Sequence, residues 1–227
     1  MHPVASTRPR RLLVGLFVLI LVPAALAMET SLDVGFGATA GTGVQAGLTL
    51  EHFTRDVPLS LRMSLAYSGR DAGQALDARH VFINDNSNGT PEEQARTWQF
   101  RLDLLHPIGS FASAPLHLGL GLRRSSFTGT YDFIGGNEKF DVTSSAWGVG
   151  AFLETAFAVS DRVDFTLKAG LDHFFDAPLK GHDTTYSPDG DDANPRDGYD
   201  FGSADDAVNQ PTLEFFGLMG LQLHFGR

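Results

Sequence analysis

The 227-residue chain contains no cysteine, so no disulfide framework holds it, and its stability must come from packing and hydrogen bonding. It is also poor in positive charge, with 17 Lys and Arg against 27 Asp and Glu, a formal −10. That balance excludes the basic patches by which a protein grips nucleic acid. Beyond Ala27 no apolar run approaches the ~20 residues that a membrane-spanning helix needs. A mature chain that entered a membrane would have to cross it as a closed barrel, because lipid offers no partner to unpaired backbone groups.

What is present at the N-terminus is an export signature. Arg8, Arg10 and Arg11 precede the apolar run Leu12 to Val22, and Ala25-x-Ala27 supplies the small residues of a signal peptidase site. The run is too short for a retained helical anchor. Residues 1–27 are therefore expected to be a cleaved signal peptide and 28–227 the mature domain. Cleavage would move the formal charge from −10 to −13, with 14 basic against 27 acidic residues.

The mature chain repeats one pattern, apolar residues alternating with polar or small ones, which is the two-residue period of a strand with two unlike faces. Leu32, Val34 and Phe36 alternate with Asp33, Gly35 and Gly37; Leu59 to Tyr67 and Trp98 to Leu104 continue the pattern, and Leu213 to Phe225 ends it. Eight such segments are counted. The breaks near 54–58, 107–115 and 160–162 are short, whereas Arg70 to Arg96, Phe127 to Ser144 and Asp176 to Pro211 are long, polar and read as loops. An even strand number with short turns on one side and long loops on the other predicts an all-β fold: an eight-stranded antiparallel up-and-down transmembrane β-barrel with short periplasmic turns and long extracellular loops. Aromatic residues agree. Tyr67, Trp98, Trp147 and Phe215 fall on the apolar face beside the long loops, and Phe157, Phe165 and Phe225 beside the short turns, as two girdles would require.

On these residues the chain resembles the small outer-membrane barrels of Gram-negative bacteria, the OmpA, OmpX and OmpW type. Its last strand is similar to that family's assembly signal at Gly220, Leu223 and Phe225, although Leu218 stands where a polar residue is usual and Gly226-Arg227 follow the aromatic. The resemblance implies residence in the bacterial outer membrane. It also implies outer-membrane lipid, lipopolysaccharide and the barrel-assembly machinery as partners, and a monomeric state.

A bore of eight strands is filled by side chains or holds one small ligand. The inward face predicted by the alternation carries Glu51, Arg62, Arg101, Asp103, Arg123, Glu154, Lys168, Asp172 and Glu214, with Asp33 and Asp164 beside them. Buried charges need partners. Pairing Val159 with Val163 across the short turn sets Glu154 opposite Lys168, and a similar register brings Glu51 near Arg62. Two readings follow, a salt-bridge plug or a narrow polar pore. Phe152, Phe174, Phe216 and Leu218 also point inward and would either pack the lumen or line a pocket for small hydrophobic solutes, as in OmpW-like members.

Catalysis finds no footing. Barrels that resemble the lipid A palmitoyl-transferring type need an apolar lumen, which the charges deny, and the deacylase type needs Ser and His in reach on the outer wall. His173 stands beside Asp172, but neighbours on a strand face opposite ways. No cofactor is expected. Asp189, Asp191 and Asp192 could hold calcium, yet Ala193 breaks the EF-hand spacing, so the acidic last loop reads as solvated. The expected role is a structural or surface-interacting barrel with a plugged lumen; the alternatives are a narrow channel, hydrophobic-solute uptake, or a lipid A-modifying enzyme.

Overall fold

A computed structural model describes residues 29–39, 41–51 and 57–225. The expected signal peptide at 1–27 and the Gly226-Arg227 tail lie outside the described residues. The elements, in chain order, are β1 (Thr30–Thr39), β2 (Thr42–Leu50), β3 (Ser60–Arg70), α1 (Ala75–Phe82), β4 (Thr90–Phe111), β5 (Ala114–Ile134), β6 (Glu138–Ser144), β7 (Trp147–Ala158), β8 (Val163–Phe174), β9 (Leu179–Gly181), β10 (Thr184–Tyr186), α2 (Phe201–Ala207) and β11 (Leu213–Phe225).

Eight strands form a closed antiparallel ring in the order β7-β8-β11-β1-β2-β3-β4-β5, with β5 returning to β7. The terminal strand seals it against the first, Thr30 opposite Phe225 through Thr39 opposite Phe216. The predicted fold class holds. The alternation turns the usual protein inside out: Val34, Phe36, Leu65, Phe100, Leu120 and Leu221 are exposed on the outer wall, while Arg62, Arg101, Arg123 and Asp172 are buried within. A water-facing surface rarely carries so continuous an apolar belt, and lipid is the solvent it matches. No helix among the described residues is long and apolar enough to cross a membrane.

The segments read as loops are not loops. β4 and β5 run 22 and 21 residues, about twice the ~9–11 a membrane-spanning strand requires. They project above the barrel as a ribbon. β5 changes partner on the way up, pairing with β7 over Leu116–Arg124 and with β6 over Phe127–Phe133. The stretch 70–96 holds α1 and the first part of β4; 127–144 is the β5–β6 hairpin; 176–211 contains β9, β10 and α2. These pieces bury a core of their own, in which Val81 and Phe82 meet Phe127, Tyr131, Phe133, Val142, Leu179 and Tyr186. Phe82 stands edge-on to Tyr186 at 5.5 Å, and Tyr131 stacks on Phe140 at 5.2 Å. The Tyr131 hydroxyl donates to the Ala72 carbonyl at 2.6 Å and the Tyr186 hydroxyl to Val81 at 2.9 Å. Burial pushes both phenols above their ordinary value, which keeps them protonated donors. Asp200 caps α2 by accepting from the Ser203 amide at 2.9 Å, and that bond holds its carboxyl below the usual range. The polar composition misleads because half of each extended strand faces water.

The expected break at Pro107–Pro115 is likewise a continuation. β4 passes a bulge between Pro107 and Gly109 and turns through Ala112 and Ser113, both at positive φ (50° and 68°), directly into β5. A two-residue turn of that kind normally uses Asn and Gly, so its sequence carries no hairpin signal.

Because the cap has its own core, its stability separates from that of the barrel. Phe82→Ala is expected to cost the cap about 3–5 kcal/mol. Limited proteolysis should then cut within 176–211 while the heat-resistant compact gel band of the barrel is kept.

Candidate functional site: the charged lumen

The inward faces of the eight strands stack their charged groups in tiers. In the upper tier Arg70, at the end of β3, pairs with Glu214 at the start of β11, and the other oxygen of Glu214 accepts from Gln99 at 2.7 Å. Below it Asp172, wholly buried on β8, takes the guanidinium of Arg101 on one oxygen and Nε of Arg123 on the other, the second at 2.6 Å. Arg123 continues to Asp103 at 2.5 Å. The next tier is built on Arg62, which donates two parallel hydrogen bonds to Glu154 at 2.5 and 2.8 Å, lies 3.2 Å from Asp33 and donates to the Thr49 hydroxyl at 2.8 Å. Lys168 reaches Glu154 at 3.2 Å and Asp33 at 4.0 Å.

Across these tiers five cations (Arg62, Arg70, Arg101, Arg123, Lys168) meet five carboxylates (Asp33, Asp103, Glu154, Asp172, Glu214). The pairing is forced. An uncompensated ion in this interior would cost several kcal/mol, whereas forked Arg–carboxylate geometry recovers much of that penalty. Glycines make the room. A Cβ on Gly150 would strike Asp172 Oδ1 and the Arg123 guanidinium, and one on Gly121 would strike Asp103 and the Leu102 carbonyl. Between the charged tiers lie Leu105, Phe152, Phe216 and Leu218, packed on one another. Arg101 sits over the Phe216 ring at 4.4 Å and Lys168 over Phe152 at 5.1 Å, so apolar and charged fillings interlock. Phe174 stands apart with Ala146 and Ala177.

At the periplasmic mouth the arrangement opens. A cavity of about 600 Å³ is lined by Thr49, Glu51, Asp164 and His224 and reaches inward as far as Arg62 and Glu154. His224 bridges two carboxylates, Nδ1 to Glu51 at 3.1 Å and Nε2 to Asp164 at 2.8 Å.

Of the residues singled out in the sequence, Arg62, Arg101, Asp103, Arg123, Glu154, Lys168, Asp172 and Glu214 all lie in the tiers. Glu154 opposes Lys168 in the expected register. Glu51 does not meet Arg62. The β2–β3 register sets Thr49 opposite Arg62 and leaves Glu51 beyond the strand end, facing His224. Arg70 escapes the sequence reading, whereas for His224 only the two carboxylate partners do. Arg70 continues the inward series Ser64, Ala66, Ser68 and is hidden by the polar composition that begins there; His224 is visible on the polar face of the last strand.

On the outer wall Tyr67, Trp147 and Phe215 are exposed near the upper ends of their strands, Phe215 to 72%, and Trp98, exposed partway along the longer β4, lies 4.9 Å from Tyr67. Phe157 and Phe165 are half-buried, 6.5 Å apart across β7 and β8. Leu223 and Phe225 face outward, while Gly220 faces the lumen where a Cβ would meet the Val34 carbonyl. Asp189 and Asp192 spend carboxylate oxygens on backbone amides of their own segment, from Asp191 at 3.3 Å and Ser187 at 2.7 Å. Among the described residues no three His, Asp or Glu converge where a metal could sit. His173 faces outward against Phe175 and Asp172 faces the lumen.

No family model matches the chain, and no curated protein matches it in sequence. Solved structures do resemble it. A major outer membrane protein of Thermus thermophilus aligns over 87% of this chain and 99% of its own, at 18% identity and a TM-score of 0.69. Neisserial surface protein A aligns over 87% and 96% at 12% identity (TM-score 0.39), and the attachment invasion locus protein of Yersinia pestis over 87% and 99% at 13% (TM-score 0.44). The fold, drawn from the Thermus barrel, is that of the small barrels of bacterial outer membranes.

Asp172 holds two guanidinium groups, so Asp172→Asn should cost about 3–5 kcal/mol by leaving buried positive charge uncompensated. The compact gel band is expected to be lost at a clearly lower temperature than in wild type, with exposed Asp176→Asn unchanged as the control.

Proposed function

We propose that this outer-membrane barrel is closed to solutes and serves to hold a folded cap at the cell surface, a structural and surface-interacting role. The observation that carries the reading is the lumen filling, five cations matched to five carboxylates and interleaved with four packed apolar side chains. A conducting pore needs a continuous wet path, and this filling supports its absence: the periplasmic cavity extends to Arg62–Glu154, where the forked pair spans the bore. Uptake of hydrophobic solutes would use free apolar surface within the lumen, whereas Phe152, Phe216 and Leu218 spend theirs on one another. The cap supports the surface role, since a core ordered before any partner arrives avoids the entropy of ordering on binding.

The reading needs no cofactor and assigns no catalytic residue. It takes Gly220, Leu223 and Phe225 as the signal read by the assembly machinery, residues 1–27 as a leader removed before Met28, and the barrel as a monomer. Purified protein in planar bilayers is expected to give no steady single-channel conductance. An Arg62→Ala/Glu154→Ala pair, which removes the fork, should leak measurably; steady wild-type conductance would overturn the closed reading. N-terminal sequencing of the membrane form should begin at Met28. Phe225→Ala should sharply lower the yield of compact outer-membrane material, and a normal yield would remove the assembly role.

A further inference from the structure

Among the described residues the outer wall of the strands carries two arginines. Arg96 on β4 and Arg124 on β5 point away from the lumen, Arg96 exposed and Arg124 half-exposed. Among the described residues neither makes an ion pair, unlike the cations of the lumen. They are neighbours: Arg96 pairs in register with Thr128, and Arg124 lies four residues further along the same strand, roughly 13 Å away. Their height is fixed by the aromatics. Arg124 is in register with Trp147, with its guanidinium 5.0 Å from that ring, and Arg96 stands one outward position above Trp98. Tryptophans of this belt mark the headgroup level of a bilayer.

Below Arg124 the wall is recessed. Leu120 and Leu122 of β5, Val149 and Ala151 of β7 and Leu171 of β8, with the backbone of Gly121 and Gly150 between them, line an apolar groove of about 680 Å³. Cation above and groove below have the polarity of a lipid, anionic at the head and apolar in the chain. A guanidinium drawn to an indole face carries five N–H donors with which to meet phosphate oxygens. In a chain of net charge −10, capped by acidic segments, an unpaired cation pair facing the leaflet is the feature that would draw an anionic head to the wall.

We propose that Arg96 and Arg124 form a binding site for a phosphorylated glycolipid of the outer leaflet. Each arginine takes one phosphate of a rigid sugar head, and an acyl chain lies in the groove beneath Arg124. Two separated cations select a head with two separated phosphates, which a phospholipid with a single phosphate lacks. The site depends on the barrel's seat in the membrane and not on closure of its lumen.

The test is native mass spectrometry of the full-length protein, stripped of lipid in detergent and offered bisphosphorylated lipid A, its monophosphoryl form, or phosphatidylglycerol. Wild type should retain the bisphosphorylated lipid about tenfold better than R96Q/R124Q, a charge-assisted pair's worth of affinity, while K180Q on the exposed cap should match wild type. Each single variant should bind the two lipid A forms alike. The wild-type comparison stands without any variant: equal retention of the bis- and monophosphorylated forms, or of phosphatidylglycerol, overturns the proposal. So does undiminished binding by the double variant, or a wild-type dimer that R96Q/R124Q abolishes, which would give this face to a second copy.

Discussion

Asp172 holds the interior together. It has no exposure, it faces two guanidinium groups at once, and its partners sit on β4 and β5, neither of which is hydrogen-bonded to its own strand β8. Hydrogen bonds of the sheet join only adjacent strands, so they fix the circumference and leave the cross-section free to flatten. Ionic contacts that span the lumen fix the cross-section. Arg62 repeats the device one tier lower, joining β3 to Asp33 on β1 and Glu154 on β7. Since lipid outside exerts no hydrophobic drive toward a core, transverse links between paired charges take over the part that apolar collapse plays in a water-soluble domain.

The cap obeys the opposite rule. Above the girdle the solvent is water, and the same two strands that present apolar residues outward within the wall turn them toward a neighbour once outside it. Phe127, Tyr131 and Phe133 lie on the face of β5 that lower down carries Arg123 and Gly121. One strand thus passes from polar-in to apolar-in at the membrane boundary, and its exchange of β7 for β6 as partner accompanies that passage.

The barrel is legible in the sequence because lipid imposes strict alternation on every crossing strand, and eight crossings repeat the message. Most of the lumen network follows from parity alone. Its pairings do not all follow, because parity names the face and not the register: Glu154 and Lys168 are fixed by a short turn, whereas Glu51 hangs on a longer connection and meets His224 instead. The cap is hidden for another reason. Its strands are short or half-solvated, its helices run 8 and 7 residues, and its core gathers apolar residues from segments far apart in the chain. The inward glycines at 121 and 150 are a signal of a different kind, marking where an arginine has to be accommodated.

The β4–β5 ribbon has a mechanical meaning. From Ala95, where its pairing with β3 ends, to its start at Thr90, β4 stands clear of the wall by roughly 17 Å of strand length, and it is hydrogen-bonded to β5 through that whole distance. A tether of the same length made of coil would let the cap wander. A paired ribbon works as a ruler. It sets one stand-off height between the bilayer and the cap, and transmits any pull on the cap straight into two staves of the barrel.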